Sequence, residues 1–298
     1  PRSSSAASDV YKRQDLIIQA TQEQDMNNIT FTVTDDDFKK TIKQCDLIVK
    51  SLGGKYDFLK NMTKLSIQGA GIMGRPSVSA ELFDSLSKAN INVRVIATSE
   101  IKVSCVLDLQ DISKATRIVG EKFKLSNNQI FINPILLKRE DPEVRGIALD
   151  KNQVQISFLN LPDKPGVAAS ICSTLAEANL IFDTIVQSDK TTRKNTKDIC
   201  LTMSKDDRKN ADDTFQKLRK MLPGSIIEDG PEIAKISAVG SGMAFKVGTA
   251  AKIFRALANE NINIEMIATS EIRTSCIVLE KDCNKAVKAI HDYFKLNI

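Results

Sequence analysis

The hexapeptide Ile-Ala-Thr-Ser-Glu-Ile occurs twice, at 96–101 and at 267–272. Its polar centre, Thr98-Ser99-Glu100 in one copy and Thr269-Ser270-Glu271 in the other, places two hydroxyls and a carboxylate between strands. Such a trio either closes a turn or faces a ligand, since a glutamate neutralises an ammonium and hydroxyls hold a carboxylate. A second constellation is Pro162-Asp163-Lys164-Pro165-Gly166. Pro165 and Gly166 open a helix there, and the amides of a helix start attract carboxylates. Asp163 either caps that helix or meets the ammonium of an amino acid. Asp183 and Gln187 lie four apart on an expected strand, hence on one face, and with Asp198 they line an edge; Asp15 and Gln19 repeat the pair. These groups suit the holding of a zwitterion.

Other chemistries find little support. Gly69, Gly71 and Gly74 form a GxGxxG turn, but the second copy, GSGMAF from Gly240, loses the third glycine, and no acidic residue ends a suitable second strand. A GxxxxGK[ST] loop is absent. The single histidine, His291, lies in a helix whose apolar face is Ala286, Ala289, Ile290 and Tyr293, which leaves little room for histidine-based metal or acid–base sites. The six cysteines form no CxxC pair and read as reduced, mostly buried small hydrophobes. No catalytic residue, metal ligand or cofactor is expected in this chain.

The elements that must position these groups come from a long repeat. Gly69–Asp108 and Gly240–Leu279 align without a gap at an offset of 171 residues, with 16 of 40 positions identical, so they should share one fold. Each copy runs strand (64–69, 235–240), glycine turn, amphipathic helix (77–89, 248–260), strand (91–99, 262–270), strand (102–108, 273–279) and helix (111–124, 282–294), with a weakly signalled fourth strand. A second kind of module precedes each copy. One has strands at 144–150 and 154–161, a helix over 166–178, strands at 180–188 and 198–204 and a helix over 206–222. Before the first copy only the last part of that pattern is present: strands at 15–20 and 28–34 and a helix over 35–52. The first module therefore reads as lacking its front.

The order β-α-β-β-α-β predicts an α+β fold of tandem ferredoxin-like modules, each an antiparallel sheet with two helices on one face. So small a module usually pairs with another to bury its remaining surface. The expected boundaries are 1–14, a polar non-native or disordered tail; 15–60, the truncated first module; 61–125, the second; 126–143, a linker; 144–230, the third; and 231–298, the fourth.

Composition agrees with this plan. Hydrophobic residues make up 42% and charged residues 27%, as in a globular protein. The net charge of +5 is small beside 79 charged side chains and gives no case for nucleic acid or membrane as partner. RNA-recognition modules share the strand order but stack bases on aromatics of central strands; Phe158 is the one aromatic on offer there. No apolar run is long enough to span a bilayer.

Taken together, IATSEI, FLNLPDKPGVAAS, FDTIVQS and INIEMIATSEIRTSCIV resemble the C-terminal regulatory region of aspartate kinases, with its tandem ACT domains, and the resemblance covers nearly everything after residue 14. It is similar to the four-domain organisation of cyanobacterial and some other bacterial members. The resemblance implies ACT domains packed in pairs that bind lysine and/or threonine and shift an attached kinase domain between states. That kinase domain, with its ATP and Mg2+, is missing from the chain. The resemblance also implies homo-oligomerisation through ACT pairing and a cytoplasmic location (plastid stroma in a photosynthetic eukaryote). One effector site would combine Asp163, Lys164, Gly166, Val167, Ala168, Asp183, Gln187 and Ser188 with Ile267, Thr269, Ser270 and Glu271. The other would combine Asp15 and Gln19 with Ile96, Thr98, Ser99 and Glu100, and would lack its PDKPG-like loop. A stand-alone amino-acid sensor is the rival reading.

Overall fold

The computed structural model describes residues 16–21, 27–69, 72, 74–99, 101–126, 129–130, 141–187 and 195–296. Its first segment comprises β1 (Ile17–Thr21), β2 (Asn27–Phe31) and α1 (Asp35–Leu52). The first repeat copy follows as β3 (Met62–Gln68), α2 (Pro76–Lys88), β4 (Val95–Ser99), β5 (Lys102–Asp108) and α3 (Ile112–Lys122). Then come β6 (Gly146–Pro162), α4 (Val167–Glu177), β7 (Phe182–Gln187), β8 (Thr196–Met203), α5 (Lys205–Lys209), α6 (Asp212–Met221) and β9 (Ile226–Val239). The second copy closes the chain with α7 (Thr249–Asn259), β10 (Met266–Ser270), β11 (Arg273–Leu279) and α8 (Cys283–Phe294).

Most helices and strands lie close to where periodicity places them, but β4 and β10 begin four residues later than expected, β9 begins at Ile226 rather than 235, and two further elements differ. The helix expected over 206–222 is split at Asn210 and Ala211 into α5 and α6. Ser204 caps α5, its hydroxyl accepting from the Asp207 amide at 2.9 Å. The strands expected at 144–150 and 154–161 are one element, β6.

The eleven strands among the described residues join one curved antiparallel sheet, in the order β2-β1-β10-β11-β9-β6-β8-β7-β4-β5-β3. The long strands β6 and β9 are its spine. Ile226–Ile233 of β9 pairs with Gln153–Leu159 of β6, beside β8 and β7; Lys235–Val239 pairs with Gly146–Asp150, beside β11 and β10. Residues 146–150, expected to open the third module, thus extend the sheet of the fourth. Their counterpart beside β3 is not among the described residues, where β3 pairs with β5 alone.

Alternation along the strands divides the core. Ile96, Val103, Cys105, Leu107 and Ile185 face the helices α2 and α4, in a cluster with Leu82, Leu86, Ile171 and Leu175. Val95, Ala97, Val106 and Val186 point the other way and meet Leu16, Ile18, Ile233, Met266 and Ile277. This works because the sheet curls back on itself, laying β4 against β10 and β7 against β1. The sheet face left over by the helices is buried within the chain. By contrast α1 buries none of its residues, and Leu47, Ile48 and Leu52 stay exposed.

Candidate functional site

The modules join in a crossed pattern. β7 pairs with β4, setting Gln187 opposite Ile96 and Val186 opposite Ala97. β1 pairs with β10, setting Gln19 opposite Ile267 and Ile18 opposite Ala268. The two registers are equivalent, with Ile96 and Ile267 offset by 171 residues and Gln19 and Gln187 by 168. The sequence-based expectation joined Asp183 and Gln187 to the second hexapeptide, and Gln19 to the first; the strand pairing sets Gln187 against the first and Gln19 against the second, while Asp183 borders residues of both. The reason is tertiary: β6 and β9 seat the third and fourth modules side by side through shared strands, so the β7 edge is free to meet β4.

The threonines of the hexapeptides work at these seams. The Thr98 hydroxyl accepts from the Ile185 amide at 2.7 Å and donates to the Asp183 carbonyl at 3.4 Å. The Thr269 hydroxyl accepts from the Ile17 amide at 2.8 Å and donates to the Ile17 carbonyl at 3.3 Å. Each threonine side chain therefore stitches a neighbouring module's strand to its own. Ser99 keeps a buried hydroxyl without a hydrogen-bond partner among the described residues, in a small space lined also by Asp183, Lys235, Thr269 and Ser270.

Two acidic members of the expected constellations are ion-paired across strands. Glu271 meets Lys102 of β5, and Asp183 meets Lys235 of β9. Burial pushes the Glu271 pKa up, but the Lys102 hydrogen bond and charge outweigh it, and the net shift is downward. Asp15, Glu100 and Ser188 lie outside the described residues.

Around Asp163 the polar groups converge. Gly166, at φ 98°, is the N-cap of α4, a conformation glycine adopts freely. That turn brings α4 against α2: a Cβ built on Gly166 would lie 2.8 Å from Ser87 Oγ. Asn92 donates to Asp163 Oδ1 at 3.0 Å. Gln187 Nε2 reaches the carbonyls of Val93 at 3.0 Å and Arg94 at 3.3 Å. Lys197 Nζ reaches the same two carbonyls at 3.0 and 3.3 Å and Asp163 Oδ1 at 3.2 Å. Gln187 and Lys197 are almost wholly buried, at 4% exposure each. Val167 is buried and Ala168 half-buried at the helix start, while Lys164 is exposed. A carboxylate, an amide, two carbonyls and the free N–H groups of a helix start thus lie at one module seam.

The equivalent seam is sparser. Gln19 Nε2 donates to the Ile264 carbonyl at 2.7 Å, matching Gln187 on Val93. Asn263, the repeat counterpart of Asn92, turns to Glu265 at 2.9 Å. At the start of α7 a carboxylate comes from the chain itself. Glu143 accepts from Thr249 Oγ1 at 2.9 Å and from Lys252 at 2.6 Å. Gly240 and Gly242 let that segment approach, since a Cβ on either would lie 2.2 Å from a backbone oxygen. The second glycine turn serves close backbone packing.

Sequence reasoning missed Ser87, Asn92, Lys197 and the carbonyls of Val93 and Arg94. Asn92 had a signal, being identical to Asn263 within the repeat. Lys197 had none.

Residues 65–123 and 236–294 match the model of the ACT domain. Both repeat copies are ACT-domain matches. The ACT-matched segments contain Asn92 and the Val93 and Arg94 carbonyls on one seam, and Ile264 and Thr269 on the other. The whole chain is similar to the crystal structure of aspartate kinase from Synechocystis: 37% identical, TM-score 0.86, covering 95% of this chain and 50% of that one. It is also similar to the aspartate kinase of Stutzerimonas stutzeri, 38% identical over 158 residues, 53% of this chain and 38% of that protein. The aspartokinase of Thermus thermophilus is 36% identical over 170 residues, 55% of this chain and 42% of that protein. The chain spans about two fifths of the length of these curated relatives. The similarity links this region to aspartate-kinase proteins and supports a ligand-sensing, allosteric role. Among the described residues no group of three His, Cys, Asp or Glu side chains could hold a metal ion, and no helix is long and apolar enough to cross a membrane.

Proposed function

We propose that this chain is the regulatory part of an aspartate kinase, built from four ferredoxin-like ACT modules. Its two crossed seams, β7–β4 and β1–β10, are the effector interfaces. They bind end-product amino acids, lysine and/or threonine, and bias an attached kinase domain by stabilising one arrangement of the modules. The β9-β6-β8-β7 strand order, that of a ferredoxin-like layer, supports the module assignment. The kinase step, transfer of a phosphoryl group from ATP to aspartate with Mg2+, belongs to a part of the protein outside these residues.

The observation that carries this reading is the convergence at the β7–β4 seam. There the first amides of α4 would take an effector's carboxylate and Asp163, beside Asn92, its ammonium. The remaining site assignments are Lys164, Gly166, Val167, Ala168 and Asp183 with Ile96 and Ser99 at one seam, and Gln19 with Ile267, Ser270 and Glu271 at the other; Asp15, Glu100 and Ser188 lie outside the described residues. Calorimetric titration of the chain with lysine, threonine, methionine and isoleucine tests the reading; absence of binding by all four overturns it. A kinase assay on the 298-residue chain is expected to show no aspartate phosphorylation.

The second reading is an ACT sensor without a kinase, favoured by the self-contained polar network at the seam. Extending the reading frame upstream discriminates, since an amino-kinase sequence there settles for the first reading.

A further inference from the structure

The β7–β4 seam already contains an ammonium. Lys197 leaves the strand β8 and ends between Asp163 and the turn Val93–Arg94, its side chain only 5% exposed. A buried cation is costly unless paired and hydrogen-bonded. Here the carbonyls of Val93 and Arg94 accept hydrogen bonds from the group, and Asp163 Oδ1 pairs with its charge. The two carbonyls also receive Gln187, so each holds two donors. Asp163 Oδ1 likewise takes both Asn92 and Lys197, while Oδ2 has no hydrogen-bond partner among the described residues.

The sister seam, besides lacking a counterpart of the Asn92–Asp163 contact, differs at the Lys197 position. Gln187 opposes Ile199 across β7–β8, and Gln19 opposes Ile29 across β1–β2. Two residues before those isoleucines stand Lys197 and Asn27. In sequence, the position that carries a cation on β8 carries an asparagine on β2.

We propose that Lys197 sets the ligand specificity of the β7–β4 seam, by filling the acceptor cluster that a basic side chain would need. This rests on the reading of the seam as an amino-acid site. The seam takes an amino acid with an uncharged side chain, whose α-ammonium uses Asp163 Oδ2 and whose carboxylate uses the start of α4. An amino acid with a second cation is turned away, because its ammonium finds the carbonyls saturated and Lys197 beside it. Lys197 is here a specificity-determining residue that acts by occupying space and acceptors.

The test is calorimetry of the full 298-residue chain with lysine and with threonine, for wild type, Lys197→Met and Lys197→Arg. Methionine keeps the apolar stem and removes the cation; arginine keeps the cation. Lys197→Met is expected to bind one more lysine per chain than wild type, or lysine at least tenfold more tightly, while Lys197→Arg stays like wild type. Unchanged lysine binding in Lys197→Met, with threonine binding preserved, overturns the inference and leaves the regulatory reading standing. Failure of every form to bind any amino acid overturns the regulatory reading, and this inference with it. Should Lys197→Met not fold, wild type decides, followed through the side-chain amide NMR signals of Asn92 and Gln187. Threonine is expected to move those signals, and lysine moving them at comparable concentration overturns the inference.

Discussion

Glu271 is ion-paired with Lys102, although the two stand 169 residues apart in the chain. Glu271 follows β10 in the second repeat copy and Lys102 opens β5 in the first, so the pair ties the copies together. Their side chains are 29% and 13% exposed, which shields the pair from the screening that weakens surface ion pairs. Replacing Glu271 with Gln is expected to cost about 2 kcal/mol of unfolding free energy, the range of a charge-assisted hydrogen bond. The effect should appear in urea unfolding without any ligand. An equal urea midpoint in Glu271→Gln and wild type would show the pair to be neutral.

The same pair sets an acid dependence. Because Lys102 holds the Glu271 pKa below its ordinary value of 4.5 despite burial, the carboxylate binds protons more weakly folded than unfolded. Its contribution is complete above the unfolded pKa and disappears as pH falls through the folded one. Wild type should therefore lose stability more steeply than Glu271→Gln on acidification below about pH 5, as read from melting temperatures across that window. Parallel curves would remove Glu271 from the account.

Thr98→Val leaves the buried Ile185 amide without the acceptor it has at 2.7 Å. An unsatisfied buried donor costs about 1–3 kcal/mol. Hydrogen exchange at Ile185 is expected to quicken, and Thr269→Val should act in the same way on Ile17. Unaltered exchange at both amides would return the threonines to a ligand-facing role.

Gly166→Ala suffers twice, from a positive φ and from contact with Ser87. The backbone part costs about 1 kcal/mol. The steric part depends on Ser87 Oγ, since the next nearest atom, Ser87 Cβ, lies 3.9 Å away. Adding Ser87→Ala should therefore recover part of the loss. Full recovery, or none, would show that only one of the two causes acts.

Cys105, Cys172 and Cys276 are fully buried, and burial alone pushes each thiol up to about 12; Cys200 is raised to about 11. The thiolate is the reactive form, so the native chain should leave these four unmodified by a thiol reagent at neutral pH. Cys45 of α1 is only half-buried and should react first. Rapid labelling of Cys105 or Cys276 in the native state would contradict the described core.

Much of this molecule is local and therefore legible in sequence. Helices α2 and α7 and strands β4, β5, β10 and β11 follow from hydrophobic spacing and from the repeat, because side-chain periodicity depends on neighbours within a few residues. Asp163 at a helix start and Gln187 on a strand face were legible for the same reason. The partners of those residues were not. Whether Gln187 meets Ile96 or Ile267 depends on which sheet edge lies beside β7, and the two hexapeptides are identical, so local chemistry cannot choose between them. The choice is made by β6 and β9, which run through both modules and fix their edges. The ion pair of Glu271 with Lys102, and the seating of Lys197 among the carbonyls of Val93 and Arg94, follow from that geometry. A charged side chain carries no sequence mark of its partner; only the burial and approach of distant strands decide it.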